Sequence, residues 1–160
     1  PAGGKPATRL DVFTAWLNQS AWVFDFASQS YWRYVDTADE NAAGILHPEV
    51  DRLTKRQLQF ENVIVLFTQH DVISPRNLNI HLEQGLTGDA LLFRDGQMYN
   101  VRWSTQGTNA NETHKPIRFY YPDEKILFPL KPGHTWVIVV TPLEVDRMIV
   151  LKSLSNLHPL

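Results

Sequence analysis

Histidines and carboxylates at short spacing are the first residues to weigh for chemistry. His81 and Glu83 stand two apart, a spacing that on an extended strand puts both side chains on one face. There they could share a cation or pass a proton. His47, Glu49 and Asp51 repeat the same spacing. Zinc asks for three or four protein ligands and a supporting shell, and no His-Glu-x-x-His segment supplies them. Asn79, His81 and Glu83 therefore read as the wet face of a half-exposed strand. Acid–base catalysis would draw on His81 and Glu83 with Asp71 or Asp89 nearby in the chain. Nucleophilic catalysis has no Gly-x-Ser-x-Gly elbow to stand on, and the 160 residues contain no cysteine. Gly85-Leu86-Thr87-Gly88 lacks the lysine and the following helix of a phosphate-cradling loop. Asp95 and Asp123 sit in turns and are expected to bind their own backbone. No catalytic residue, metal or cofactor is assigned from the sequence.

A second group is aromatic and basic. In residues 117–121, Ile117, Phe119 and Tyr121 share one strand face while Arg118 and Tyr120 share the other. Arg102 lies opposite in parity to Trp103. An outward Arg–Tyr surface suits sugar rings or a protein partner, which both favour flat amphipathic side chains. The plainer reading makes Trp103 and Trp136 inter-sheet core and Arg118 and Tyr120 ordinary exposed positions. The candidate ligand-binding set is Asn79, His81, Glu83, Arg102, His114, Arg118 and Tyr120. Asn18-Gln19-Ser20 and Asn111-Glu112-Thr113 also fit glycosylation acceptors.

The elements that would carry these residues are mostly strands. Residues 8–22 read as a helix, with Thr8 and Asp11 as a capping box and Leu10, Phe13 and Leu17 as an apolar stripe. After it come aromatic and β-branched runs at 23–26 and 30–35, a loop at 37–48 and an ambiguous stretch at 49–58. Residues 62–67, Asn-Val-Ile-Val-Leu-Phe, are apolar on both faces and read as a buried strand. Residues 77–85 alternate strictly, with Leu78, Ile80 and Leu82 facing one way. The two runs around Asp95-Gly96 form a hairpin, because that pair tolerates the positive φ of a type I′ turn. Residues 104–115 are a polar loop, and 117–121, 125–130 and 135–140 are expected to complete a meander. The fold class is mainly β (α+β): an antiparallel meander, sandwich or open barrel of about seven or eight strands with one N-terminal helix. The expected organisation is a linker or trimmed end over 1–7, a single domain over 8–142 and a tail over 143–160.

Composition narrows the partners. Fifteen basic and 17 acidic residues leave a net charge of −2, which argues against nucleic acid and against simple attachment to anionic lipid. Apolar runs of about six residues fall far short of the roughly 20 needed to span a bilayer. The first eight residues have neither the charged start nor the apolar core of a signal peptide.

Taken in order, Gly85-x-x-Gly88, the Asp95-Gly96 hairpin, a strand ending at Trp103, and Pro132-Gly133-His134-Thr135-Trp136 resemble the C-terminal domain of the YerB-like bacterial lipoprotein family. Tyr31-Trp32-Arg33, Asp51-x-x-Thr54, Gln57-Leu58 and Asn62-Val63 are similar to that domain's first half, and the likeness covers roughly residues 22–142. Asn100-Val101-Arg102 stands where the family often has a glycine. The resemblance implies an exported protein tethered by a lipid on a cysteine far upstream, with another domain before this one. The family has no established activity, so no catalytic role is carried over.

Three functions are thereby expected. The leading one is a non-enzymatic extracytoplasmic module that contacts an envelope protein or peptidoglycan. The alternatives are a hydrolase of an envelope polymer using His81 and Glu83, and a purely structural domain that packs on a preceding one.

Overall fold

The computed structural model describes residues 1–15, 18–37, 39–42, 44–74, 77–107, 116–123, 125–142 and 149–152. In chain order the strands are β1 (Lys5–Pro6), β2 (Arg9–Ala15), β3 (Asn18–Asp25), β4 (Ser30–Asp36), β5 (Leu46–Pro48), β6 (Gln59–Phe60) and β7 (Asn62–Phe67). They continue as β8 (His70–Ser74), β9 (Asn77–Ile80), β10 (Thr87–Arg94), β11 (Gln97–Ser104), β12 (Arg118–Tyr120), β13 (Thr135–Val140) and β14 (Ile149–Lys152). A single 3-10 turn at Glu40–Ala42 is the one helical element among the described residues.

The mainly β expectation holds, in the form of two stacked open sheets. One has the order β1-β11-β10-β7-β13, with β12 also on β11; the other has the order β14-β2-β3-β4-β5, with β6 also on β4. A small β8–β9 hairpin stands apart from both. Lys5–Pro6 pair with Gln97 and Met98, and Ile149–Lys152 pair with Arg9 through Val12.

The helix expected over 8–22 is not formed; β2 and β3 make a hairpin there. Leu10 and Val12 are buried while Phe13 between the strands' ends is exposed, the alternation of a strand rather than the stripe of a helix. Arg9 and Asp11, two apart, form a bidentate pair at 2.7–3.1 Å on the outer face. Thr8 caps nothing: its carbonyl accepts the amide of Phe24. Leu17, the last residue of the supposed stripe, lies outside the described residues.

β7 explains why its six residues are apolar throughout. Val63 and Val65 enter the layer between the sheets with Leu10, Trp22, Tyr31 and Phe93. Ile64 and Leu66 face the other side, where Leu92, Tyr99, Trp103, Phe119 and Phe128 form a second core. This sheet is therefore buried on both faces. Trp103 belongs to the outer core and Trp136 to the inter-sheet one, so only Trp136 sits where the sequence put both.

The expected meander stops short. Residues 125–130 make only an isolated bridge, Tyr120 with Leu127, and the chain then crosses to lay β13 parallel to β7, Thr135 beside Asn62. Asn62 holds that junction: its amide donates to the Lys131 carbonyl (2.8 Å) and the Thr135 hydroxyl (3.1 Å), and its oxygen accepts the Lys131 amide (2.9 Å). Asp95-Gly96 is the expected turn, both residues at positive φ (54° and 70°). The Asp95 carboxylate, however, bridges Arg94 (2.9 Å) and Lys131 (2.8 Å) rather than its own backbone. Among the described residues no helix is long and apolar enough to cross a membrane.

Candidate functional site

The site forms where one sheet splays. β10 pairs with β11 along its whole length, from Thr87 opposite Ser104 to Arg94 opposite Gln97. On its other side it pairs with β7 only from Phe93 to Ala90. Trp103 stands opposite Gly88 and sends its indole N–H to the Phe67 carbonyl at 2.9 Å. Any Cβ at position 88 would lie 2.4 Å from that nitrogen, so glycine is what admits the ring. The opening beside the splay is a cleft of about 760 Å³. Phe67, Leu91 and Pro142 give it apolar walls, while Gln69, His81, Asp89 and Asn100 give it polar ones.

His81 is held at its rim. The Thr68 hydroxyl donates to the His81 carbonyl, and the His81 amide donates to the Gln69 carbonyl at 3.1 Å. The Thr105 hydroxyl fixes the Glu83 backbone at 2.6 Å. The ring then meets two carboxylates, Asp71 at Nε2 (2.7 Å) and Glu83 at Nδ1 (3.2 Å), and Gln69 donates to the second Asp71 oxygen at 2.9 Å. The hydrogen bond to Asp71 raises the His81 pKa above its ordinary value, with help from both negative charges. The same bond, and then Gln69, lowers that of Asp71. An imidazolium with both N–H groups engaged has no lone pair to accept a proton. The arrangement ties the base of the hairpin to the loop at Glu83.

Arg102, Arg118 and Tyr120 gather on the neighbouring strands. Arg102 pairs with Asp89 at 2.7 Å and donates to the Thr87 hydroxyl at 3.3 Å. Tyr120 is its cross-strand partner, and Arg118 stands opposite Ser104 two rungs away. Arg102, Tyr120 and Gln106 border a small hollow of about 110 Å³. Asp89 joins this row to the cleft, since it lines the cleft and pairs with Arg102. Asn79 lies opposite Asp71 in the hairpin, on the same polar face as His81 but outside the cleft. His114 lies outside the described residues. The apolar partner face expected of 77–83 is not packed: Leu78 and Ile80 are exposed and only Leu82 reaches the core.

Sequence reasoning missed Phe67, Gln69 and Asn100, whose roles depend on where β7 ends. The one local sign was the glycine pair at 85 and 88, read as a failed phosphate loop and as a family motif but not as the floor of a cleft.

The sequence profile of a family described as protein of unknown function (DUF3048), C-terminal domain, matches residues 11–137. No curated protein matches. Among solved structures, the YerB protein from Bacillus subtilis is similar at a TM-score of 0.65 and 21% identity over 88% of this chain. At that identity the likeness speaks for the fold, and the chain spans 43% of that protein's length.

Proposed function

The chain belongs to the family of the DUF3048 C-terminal domain, and from that membership we propose that it is a non-enzymatic binding module of the bacterial envelope. It works outside the cytoplasmic membrane, tethered through a lipid-bearing segment beyond this sequence, and contacts a partner protein or cell-wall glycan. One observation carries the binding role: a cleft of about 760 Å³ in which apolar walls meet a few convergent polar groups, the usual make-up of a ligand site. Asp89, Asn100 and the Arg102–Tyr120 row orient what enters. His81 has both ring nitrogens engaged by carboxylates, which weighs against the hydrolase alternative.

Retention on purified peptidoglycan tests the glycan version. The chain is expected to bind, and Asn100→Ala combined with Tyr120→Ala to lower retention while a Val72→Thr control does not. Absence of retention, or retention indifferent to the double change, removes glycan as the ligand.

A second reading has its own support. Val72, Ile73, Leu78 and Ile80 are all exposed on the β8–β9 hairpin, an apolar surface suited to packing on a preceding domain. Hydrogen exchange of β8–β9 amides would slow in a longer chain if that packing occurs, and would match this chain's rates if it does not.

A further inference from the structure

Backbone alternation at the splay points to one class of ligand. The Thr105 amide donates to the Leu86 carbonyl at 2.9 Å, so Leu86 and the even-numbered residues after it turn their polar groups toward β11. Thr87 and Asp89 therefore turn theirs to the opposite side. On β7, the amides of Asn62 and Thr68 go to His134 and Val140 in and beside β13, which aims the Phe67 carbonyl at β10. Continuing the ladder would give that carbonyl to the Asp89 amide. Trp103 takes it instead, and the ladder ends at Ala90 opposite Leu66.

Thr87 and the Asp89 amide are thus left along the cleft, with no strand beside them among the described residues. Backbone donors and acceptors at strand spacing are matched by another extended backbone. A sugar offers no such repeat. The rim adds a sign. His81 lines the cleft and holds Asp71 and Glu83 at its two ring nitrogens, so two carboxylates meet one imidazole on that side.

We propose that the Thr87–Asp89 edge binds an extended peptide that continues the line of β7 and carries a lysine or arginine toward the Asp71–Glu83 side. One residue of the peptide exchanges its amide and carbonyl with Thr87, while its apolar side chains rest on Phe67 and Leu91. This rests on the binding-module reading and names the partner as protein rather than glycan.

The test begins with selection from a phage-displayed random dodecapeptide library on the whole chain, followed by synthesis of the most enriched peptide. Binding is measured by fluorescence anisotropy, beside chitotetraose as the glycan probe. Thr87→Pro deletes one edge amide while sparing the β11 side, and Thr87→Ala retains that amide. The peptide is expected to bind wild type and Thr87→Ala alike, and Thr87→Pro about tenfold or more weakly. Replacing its basic residue by glutamate should weaken it further, and binding should fall with added salt. Amide cross-peaks of Thr87 and Asp89 should shift on titration. Equal binding to Thr87→Pro, with its fold verified by the same spectrum, overturns the strand-edge proposal. Chitotetraose binding without any peptide binding overturns it too and leaves the module reading standing, whereas binding of neither probe removes both.

Discussion

At the residue scale, two arrangements decide what the cleft is. The first is Gly88 beneath Trp103, where the ring and its bond to Phe67 need the space a side chain would fill. Gly88→Ala is expected to cost about 1–3 kcal/mol, the range for forcing an atom into a packed site. Urea unfolding would measure it, and a red shift in tryptophan emission would report Trp103 leaving its buried position. An unchanged midpoint would mean that the ring adjusts without strain. The second is the His81 clasp. With its pKa raised, protonated His81 contributes fully below its unfolded value near pH 6.5, and that contribution is lost as pH rises through the folded value. Asp71, with its pKa lowered, contributes above its unfolded value near pH 4 and loses this as pH falls through the folded one. Both hold together between about pH 4 and 6.5. The groups are partly solvated, so the change should be local. Protection of the β8–β9 amides, taken relative to the intrinsic exchange rate at each pH, is expected to be greatest in that window and to fall above it; a flat protection profile would show that the clasp does not hold the hairpin.

At the scale of elements, the sheets are joined by particular side chains as well as by greasy contact. Arg33 on β4 lies over Trp136 of β13 at 4.1 Å and near Trp22 of β3 at 5.5 Å, and is ion-paired with Glu49. Burial lowers its pKa; the aromatic faces and Glu49 offset that cost. Arg33→Ala is expected to destabilise by about 2–4 kcal/mol, with Arg33→Lys between it and wild type because it keeps the charge but loses the flat stack. Asn62→Ala strands the half-buried Lys131 backbone groups and should cost about 1–3 kcal/mol. Chemical denaturation tests both, and a loss under about half a kcal/mol would reduce either residue to a bystander. The strands themselves were legible where a short run was apolar on both faces, as in β7, or where two runs flanked a turn pair, as around Asp95-Gly96. They were misread at 8–22 because Leu10, Val12 and Phe13 satisfy both periods, and only pairing with β3 decides between them. The wet row at Asn79 and His81 was visible, but Asp71's grip on His81 comes through the hairpin register and its bulge.

For the whole molecule, the sandwich is closed by a long-range parallel contact. β13 pairs with β7 across a separation of 73 residues at Asn62 and Thr135, in the parallel sense that no local turn can encode. That is why the sequence suggested a meander in its place, and why the cleft, which needs β7 to end at the right rung, left no periodic trace. Loop closure must be met before such a pairing stabilises anything, so β13 should act late and cooperatively. It brings Trp136, Ile138 and Val140 into the layer between the sheets, against Trp22 and Phe60. A chain ending at residue 133 keeps every hairpin but loses this covering, together with β14 at the edge of the other sheet. It is expected to lack a cooperative urea transition and the near-ultraviolet dichroism of fixed aromatic rings, while retaining strand signal in the far ultraviolet. Should it instead unfold in one sharp step, the hairpins would constitute a folded body without their parallel partner, and β13 would be an added edge rather than the element that completes the core.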